Sequence, residues 1–310
     1  MNNYNNKIAI TTGDYNGIGA EITVKALNEL NLPSDEIVII SNPKLLKGLK
    51  NDYEIISLPA DNVEYGKLSA DSGEFCFQAL KTACEISPRA IVTAPVSKEA
   101  LHLAGHKFNG QTEVLEYFLA HNGEKAEMLF ISDFFDVFLL TRHCALKSIT
   151  ISENMIIDKI IRLNKFYQGN TKFALCSLNP HAGEDGILGD EEIEIIIPAV
   201  KKLRDMGIDI TNPLPSDTLF VDAVQNSIKG QKAPYDCYIA MYHDQGLIPV
   251  KSAAPYTTVN TTIGLPILRT SPSHGTAFNI AGQNIADARS MVSAIKTAYK
   301  LTKHQAPASL

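Results

Sequence analysis

Residues 7–31 read KIAITTGDYNGIGAEITVKALNELN. An apolar run at Lys7–Thr12 leads into a glycine-rich turn at Gly13–Gly19, and a segment with helical period follows at Ala20–Asn31. Apolar residues that follow one another without alternation are typical of a parallel strand that is buried on both faces. The stretch therefore predicts a strand, a tight turn and a helix, which together begin a β-α-β unit.

The same alternation of short β-branched runs and longer helical periods recurs along the chain, and it predicts an α/β fold. The other predicted strands are Glu36–Ser41, Ala90–Ala94, Glu127–Ser132, Val137–Thr141, Lys172–Ser177, Cys237–Tyr242 and Val259–Ile263. The other predicted helices are Pro43–Lys50, Ser97–Ala104, Ser152–Phe166, Glu191–Met206 and Ala286–Thr302.

Composition bounds the class of protein. With 310 residues, of which 45% are hydrophobic, the chain can bury one large core or two medium ones. Lys and Arg total 28 against 34 Asp and Glu, and the basic residues are scattered, so we expect no nucleic-acid partner. Neither a signal peptide nor an apolar run long enough for a bilayer is visible, which predicts a cytoplasmic protein away from membranes. The five cysteines have no metal-ligand spacing and are predicted to be reduced core residues.

The turn at Gly13–Gly19 follows a predicted strand at the position where α/β sheets bind ligands. It matches neither the Gly-x-Gly-x-x-Gly dinucleotide motif nor the P-loop motif. Two interpretations stay open at this point. The glycines either allow a ligand to approach the backbone or allow a tight turn with positive φ.

Three histidines, His143, His181 and His243, each come shortly after a predicted strand. If the three imidazoles met at one edge of a sheet, they could bind Zn²⁺ or a similar divalent ion and leave positions open for substrate. No local spacing connects them, and each alone is as consistent with a surface or capping residue.

Lys98, Lys251 and Arg269 could bind phosphate or carboxylate. Arg269 follows the apolar stretch Ile263–Leu268, and a guanidinium at a strand end can bind an oxyanion through two hydrogen bonds. A solvated surface charge is the alternative for each of the three.

Seven motifs, taken in order, resemble the 4-hydroxythreonine-4-phosphate dehydrogenase family over nearly the whole chain. The motifs are Gly13-Asp14 with Gly17-Ile18-Gly19, Thr93-Ala94-Pro95-Val96-Ser97-Lys98, Gly110-Gln111-Thr112-Glu113, Asn179-Pro180-His181-Ala182-Gly183-Glu184, Pro215-Ser216-Asp217-Thr218, Tyr242-His243-Asp244-Gln245-Gly246-Leu247, and Gly264-Leu265-Pro266 with Arg269-Thr270-Ser271 and His274-Gly275-Thr276-Ala277.

The resemblance implies two α/β/α domains of the isocitrate/isopropylmalate dehydrogenase-like fold with an active-site cleft between them. The first domain would comprise residues 1–102 and 279–310. The second, residues 103–278, would carry the metal and substrate ligands and the dimer interface. Members of the family are homodimers in which some active-site groups come from the partner, so a homodimer is expected here.

The resemblance also assigns roles to residues. The metal ligands would be His143, His181 and His243. The substrate ligands would be Gln111, Thr112, Lys251, Asn260 and Arg269. Lys251 and Asp244 would be catalytic, and Asp217 would support them. A further similarity, to the cofactor loop of isopropylmalate and isocitrate dehydrogenases, assigns cofactor binding to His274, Gly275, Thr276, Ala277 and Asn284.

The implied reaction is the oxidation of 4-phosphooxy-L-threonine with NAD or NADP and one divalent ion (Zn, Mg, Co or Mn). The 3-keto acid then loses CO₂ to give 3-amino-2-oxopropyl phosphate, in pyridoxal 5′-phosphate biosynthesis. The first alternative is a dehydrogenase of a related phosphorylated hydroxy acid, such as 4-phosphothreonate or 4-phosphoerythronate. A phosphate acyltransferase and a non-catalytic binding protein of the same fold are the others.

This chain departs from the family pattern at two places. Gln111 stands where the family usually has His, and a glutamine can hydrogen-bond but cannot carry a proton. Tyr15-Asn16 stands where Pro-Ala is usual, and Ala20 where Pro is usual. These departures bear on the choice of substrate more than on the reaction.

Overall fold

The structure is a computed structural model, and it describes residues 4–121, 123–169 and 171–303. In chain order the strands of these ranges are β1 (Ile8–Thr11), β2 (Ile37–Ser41), β3 (Glu54–Ser57), β4 (Ala90–Thr93), β5 (Glu127–Ile131), β6 (Asp136–Leu139), β7 (Phe173–Leu175), β8 (Cys237–Ala240), β9 (Val259–Ile263) and β10 (Leu268–Pro272).

The helices of the same ranges are α1 (Gly19–Leu30), α2 (Ala70–Glu85), α3 (Lys98–Leu103), α4 (Gln111–Leu119), α5 (Glu153–Phe166), α6 (Ile197–Asp205), α7 (Ser216–Ile228), α8 (His243–Ala253) and α9 (Arg289–Thr302). A π-helical turn, Glu192–Ile196, leads directly into α6. None of the helices in the described ranges is long and apolar enough to cross a membrane.

The chain forms two compact units. The first unit consists of Met1–Ala126 and Val259–Leu310, and its strand order is β3-β2-β1-β4-β10-β9. All neighbours in it are parallel except β10 and β9. The strands β1, β2 and β4 are buried along their whole length, as their unbroken apolar runs predict. Because these three strands are parallel, their carboxyl ends lie at one edge of the sheet, where the loops that follow them meet.

The second unit, Glu127–Thr258, has the strand order β5-β6-β8-β7. Here β6, β8 and β7 are parallel and β5 is antiparallel. Helix α8 packs closely on this sheet because Gly246 has no side chain. A Cβ at that position would lie 2.5 Å from Val137 Cγ1. The limits of the two units fall at 126/127 and 258/259, and the predicted domain limits at 102/103 and 278/279 stay a prediction.

The predicted α/β class is confirmed, and most predicted strands and helices are present with ends shifted by a few residues. The predicted helix Pro43–Lys50 is wrong, since only a short 3₁₀ turn, Pro43–Leu45, forms there. Gly48 has φ 85°, which is incompatible with a right-handed helix, so the segment turns instead. The prediction also missed β3, β10, α2, α4, α7 and α8.

Four of the five cysteines are buried and reduced, as predicted, but Cys144 is exposed. The interpretation of Cys144 as a core residue is therefore wrong. It follows His143 in the turn after β6, where the chain has already left the sheet.

A half-buried carboxyl group, that of Asp136, lies at the start of β6. Tyr167 donates a hydrogen bond of 2.5 Å to one oxygen of Asp136, and the backbone N–H of Ser132 donates one of 3.2 Å to the other. Burial raises the pKa of Asp136 from 3.8 to about 6, although both of these bonds and Lys232 oppose the change. The carboxyl group lies at the amino end of β6, at the opposite end of that strand from His143.

We expect Asp136→Asn to remove a pH dependence of stability. Because the pKa is higher in the folded state than in the unfolded chain, the stabilisation by the protonated carboxyl is complete below about pH 4 and is lost as the pH rises through 6. Between pH 4.5 and pH 7.5, the free energy of unfolding of the variant should rise by about 2 kcal/mol relative to that of the unsubstituted chain. Urea unfolding at both pH values would measure this change.

The matched control for this measurement is Asp133→Asn, which changes an exposed carboxylate in the same turn. The difference in free energy of unfolding between this control and the unsubstituted chain should be the same at both pH values. Parallel pH profiles for Asp136→Asn and the unsubstituted chain would contradict the assignment.

Candidate active site

Two of the three predicted metal ligands lie together in the second unit. The rings of His143, after β6, and His243, at the first position of α8, have centroids 5.5 Å apart. Both line a cavity of about 280 Å³, to which Arg142, Tyr242 and Asp244 also contribute. The two imidazoles meet because β6 and β8 are parallel neighbours, so the loops after them leave from the same edge.

Asp244 fixes the orientation of one of these rings. Its Oδ1 lies 2.6 Å from Nδ1 of His243, and a carboxylate accepts, so Nδ1 carries the proton and donates. The Nε2 atom of His243 then keeps its lone pair for a ligand. A carboxylate behind an imidazole in this way is the usual arrangement around a metal-bound histidine.

The third predicted ligand, His181, lies in an unusual backbone turn. The five residues from 181 to 185 have φ between 45° and 82°, so the chain forms a left-handed turn, which is rare for L-residues. The side chain of His181 is 67% exposed, and its Nδ1 lies 3.5 Å from a carboxylate oxygen of Glu184. The turn presents the imidazole at the surface.

A carboxylate that the sequence did not single out holds this turn in place. Glu192, buried in the π-helical turn, accepts hydrogen bonds from the backbone N–H groups of Leu178 and Asn179, both at 2.8 Å, and from the side chain of Asn179. Gly183 also lies against it, since a Cβ there would be 3.0 Å from Glu192 Oε2. A strained turn persists where surrounding contacts determine it, and Glu192 supplies several of them.

A side-chain amide connects the loops that carry the histidines. The Nε2 atom of Gln245 donates to the carbonyl of Ser177 and to the hydroxyl of Ser216, each at 2.8 Å, and Oε1 accepts from the N–H of Met241 at 2.7 Å. Thr141 donates to the carbonyl of the same Met241 at 2.6 Å. These bonds tie together the ends of β6, β7 and β8 just before the chain reaches His143, His181 and His243.

In the described ranges no group of three or more His, Cys, Asp or Glu side chains lies close enough to bind one metal ion. Thus His143 and His243 are together in the structure of the single chain, while His181 is not with them. The predicted set of three metal ligands stays a prediction.

The remaining predicted residues of the second unit lie on helices. Asp217 is exposed in the first turn of α7. Lys251 is partly buried in the last turn of α8, and burial lowers its pKa. It lies eight residues beyond His243, which corresponds to about 12 Å along a helix.

In the first unit, Arg269 is buried and lies inside β10, so its predicted position at a strand end is wrong. Its Nε donates to the hydroxyl of Thr93 at 2.9 Å, and its Nη1 is 3.4 Å from the hydroxyl of Thr262. Within the described residues the guanidinium forms no ion pair. Burial lowers its pKa to about 10, against the opposing effect of Glu113, so the group remains a cation at neutral pH.

Other predicted substrate ligands in this unit include buried acceptors. The side-chain oxygens of Gln111, on α4, and of Asn260, on β9, are buried and find no partner among the described residues. Gln111 donates its Nε2 to the carbonyl of Ala94 at 3.2 Å, which leaves Oε1 as the unused end of the amide. Thr112 is also buried, in the first turn of α4. Buried acceptors without partners are rare in proteins, and a ligand is one way to satisfy them.

The predicted cofactor residues occupy the segment between β10 and α9. His274, Gly275 and Asn284 are exposed, Thr276 is half-buried, and Ala277 and Asn284 have φ of 45° and 57°. The segment contacts the first glycine-rich turn, because Ile18 donates its N–H to the carbonyl of Thr276 at 3.1 Å. Gly17 allows this approach, since a Cβ there would lie 2.9 Å from the same carbonyl oxygen.

The chain is similar to several curated proteins along its whole length. It is 38% identical to the D-threonate 4-phosphate dehydrogenase of Salmonella typhimurium, over 95% of this chain and 98% of that protein. It is 37% identical to the 4-hydroxythreonine-4-phosphate dehydrogenase of a Sulfurihydrogenibium species, over 96% of this chain and 98% of that protein.

Several solved structures are also similar to this chain along most of its length. The 4-hydroxythreonine-4-phosphate dehydrogenase of Klebsiella pneumoniae superposes with a TM-score of 0.81 at 33% identity, covering 96% of this chain and 99% of that one. A β-decarboxylating dehydrogenase from Thermococcus kodakarensis, at 14% identity and a TM-score of 0.54, covers 95% of this chain and 82% of that one and shares the fold. These similarities confirm the predicted isocitrate/isopropylmalate dehydrogenase-like fold. The predicted cleft between its two domains stays a prediction.

The sequence profile described as pyridoxal phosphate biosynthetic protein PdxA matches residues 9–298. This range includes all seven motifs from Gly13 to Ala277, and it confirms the resemblance that they carried. The chain therefore belongs to the PdxA family of pyridoxal phosphate biosynthetic proteins.

Proposed function

We propose that this protein is a metal-dependent, NAD(P)-linked dehydrogenase that oxidises 4-phosphooxy-L-threonine, after which the keto acid loses CO₂. The observation that carries the proposal is the buried Arg269, whose hydrogen-bond partners in the described chain are hydroxyl groups. A buried cation without a counter-ion is costly, and a phosphate or carboxylate of the substrate would supply the missing charge.

The residues present fit a divalent metal ion. His143 and His243 have adjacent rings, and Asp244 orients His243 so that its Nε2 keeps a free lone pair. An ion bound there would lower the pKa of the substrate hydroxyl and polarise the resulting ketone. We assign His181 as the third ligand, as the family resemblance implies.

We propose that His181 reaches the ion from a second copy of the chain. Its exposed imidazole is followed by an apolar surface formed by Ile187, Leu188, Ile193 and Ile197, whose exposed fractions are 78%, 44%, 49% and 42%. Four exposed aliphatic residues within one short segment are typical of an interface. A homodimer through this apolar surface would bring His181 to the partner.

Substrate would be positioned by charge and by hydrogen bonds. Arg269 would provide the cation, and the side-chain oxygens of Gln111 and Asn260, which have no partner in the described part of the chain, would accept from donor groups of the substrate. Lys251 is proposed as the base for the hydroxyl proton, because its lowered pKa makes the neutral amine more accessible. NAD⁺ or NADP⁺, held by the segment from His274 to Asn284, would accept the hydride.

Gln111 favours an amino acid over a hydroxy acid as substrate. Ala94 accepts from its N–H group, so the end that remains for a ligand is an acceptor. An ammonium group forms a stronger hydrogen bond with an acceptor than a hydroxyl does. A relative named D-threonate 4-phosphate dehydrogenase is 38% identical, however, so D-threonate 4-phosphate is the second candidate substrate.

We expect the purified chain to form NADH or NADPH with 4-phosphooxy-L-threonine, with a kcat/KM about tenfold above that for D-threonate 4-phosphate, as one charge-assisted bond predicts. Arg269→Met should lower kcat/KM for both substrates by roughly 100-fold, since it removes the buried cation. Absorbance at 340 nm measures both.

Arg89→Met is the matched control. Arg89 pairs with Glu36 and directly precedes β4, at the opposite end of that strand from Thr93, which bonds Arg269. It should leave kcat/KM nearly unchanged. A higher kcat/KM for D-threonate 4-phosphate than for 4-phosphooxy-L-threonine would make the former the substrate. If neither compound gave NADH or NADPH, the proposed dehydrogenase activity would be refuted.

We expect His243→Ala and His181→Ala each to weaken Zn²⁺ or Co²⁺ binding by at least about 100-fold, because each removes one of few ligands. Competition with a chelator and metal analysis of the dialysed protein would measure the loss. His121→Ala, in an exposed loop of the first unit, is the control and should bind metal like the unsubstituted chain. Unchanged binding in His181→Ala would remove that residue from the site.

We expect Ile193→Glu to produce monomers, because it places a charge in the apolar surface, and light scattering after gel filtration would show the change in mass. Mixing His181→Ala with His243→Ala should restore part of the activity, since one site of a hybrid dimer would hold both histidines. Mixtures that stay inactive although hybrids form would show that His181 does not act in the partner. Ile248→Glu, an exposed residue on α8, is the control for the added charge.

A further inference from the structure

Asn16 is a buried side chain in the first glycine-rich turn, at a position where the family usually has Ala. Its Nδ2 donates to the carbonyl of Lys67 at 3.0 Å and to the hydroxyl of Ser69 at 3.3 Å. Its Oδ1 accepts from the N–H of Glu64 at 2.7 Å, and its own carbonyl accepts from the N–H of Gly66 at 2.8 Å. One residue thus holds the whole segment 64–69 by four hydrogen bonds.

The segment 64–69 in turn contacts the segment 276–282. A Cβ at Gly66, which has φ +79°, would lie 2.9 Å from the carbonyl oxygen of Phe278. A Cβ at Gly282 would lie 2.5 Å from the ring of Tyr65. Gly66 thus lies against the backbone of Phe278, and Gly282 lies against the ring of Tyr65, so we expect a displacement of Tyr65 or Gly66 to shift residues 278–282.

Helix α1 holds the far end of the same region. Lys25 donates from Nζ to the carbonyls of Asn284 and Ala286, both at 3.0 Å, and Glu21 accepts from the N–H of Ala286 at 2.7 Å. Ile18 holds the near end through the carbonyl of Thr276. Between these two attachments, the stretch 278–282 packs on the apolar core through Ile280 and Ala281 and lies against Tyr65 and Gly66, which belong to the segment that Asn16 holds.

We infer that Asn16 is a positioning residue for the cofactor-binding segment 274–284, acting through Tyr65 and Gly66. This inference rests on the proposed function, because that segment is assigned to NAD or NADP. Asn16 itself does not touch the cofactor in this assignment. It sets where the backbone of residues 278–282 lies, and it thereby sets the affinity for the dinucleotide and not the rate of the chemical step.

The test uses Asn16→Ala, which restores the residue usual in the family and removes the three side-chain bonds. We expect the KM and the Kd for the dinucleotide to rise about tenfold, as for the loss of one net hydrogen bond, with kcat and the KM for the phosphorylated substrate changed less than about twofold. Calorimetric titration of NAD⁺ and NADP⁺ gives the Kd without turnover. Equal cofactor affinity in the variant and the unsubstituted chain would overturn the inference.

Two further variants separate positioning from a general loss of stability. Tyr65→Ala removes the ring beside Gly282 and leaves the bonds of Asn16 in place, so it should raise the Kd for the dinucleotide in the same way. Asn28→Ala is the matched control, since Asn28, on α1, likewise fastens another loop by two bonds, to Gly48 and Lys50. It should leave cofactor affinity unchanged. If Asn16→Ala does not fold, an unchanged cofactor affinity in Tyr65→Ala would still overturn the inference.

Hydrogen exchange distinguishes a failure of this inference from a failure of the proposed function. Asn16→Ala should speed amide exchange both in residues 64–69 and in residues 276–282, with no ligand present. Faster exchange confined to 64–69 would show that the two segments are not coupled and would overturn the inference. An unsubstituted chain that binds neither dinucleotide would refute the cofactor assignment, while the exchange data would still show whether Asn16 positions the segment.

Discussion

The amide of Gln245 is the interaction on which the second unit's candidate site depends. It bonds Ser177, Ser216 and Met241, and Thr141 bonds the same Met241, so the ends of β6, β7 and β8 are fixed to one another where the histidine loops begin. Parallel strands bring these ends to one edge, but the loops leaving them need a further constraint. A side chain that uses both its donor and its acceptor provides one without any charge that could compete for a metal ion.

Strain is tolerated where such constraints are dense. The left-handed turn at residues 181–185 costs conformational free energy at each non-glycine position, of order 1–2 kcal/mol. Glu192 offsets part of this cost by accepting from the backbone directly before the turn. The result is an imidazole that this turn presents at the surface. An exposed position is what the proposed binding of His181 to an ion of the partner requires.

The sequence predicted the parts of the structure that local pattern determines. Continuous β-branched runs identified β1, β2 and β4. The pairing of β6 with β8, which brings His143 and His243 together, was not predicted and is seen in the structure. It failed where tertiary contact decides, as at Gly48, whose positive φ ends the predicted helix. Glu192, Gln245 and Asn16 could not be found from sequence, because their partners lie up to 68 residues away in the chain. Gln245 stands in a family motif and Asn16 at a departure from one, but neither signal gave the role of the residue.

Asn16 and Gln111 are both amide side chains at positions where this chain departs from the family pattern. They have different consequences because their hydrogen-bonding groups have different partners. Every hydrogen-bonding group of the Asn16 side chain has a partner within the chain, so this residue can act only on the structure around it. Gln111 uses its N–H group within the chain and keeps a buried oxygen that has no partner among the described residues. A buried acceptor left open is stabilised by whatever donor arrives, so in the proposed function residue 111 acts on the substrate. Under that proposal, cofactor affinity and substrate choice would change independently, one through each amide.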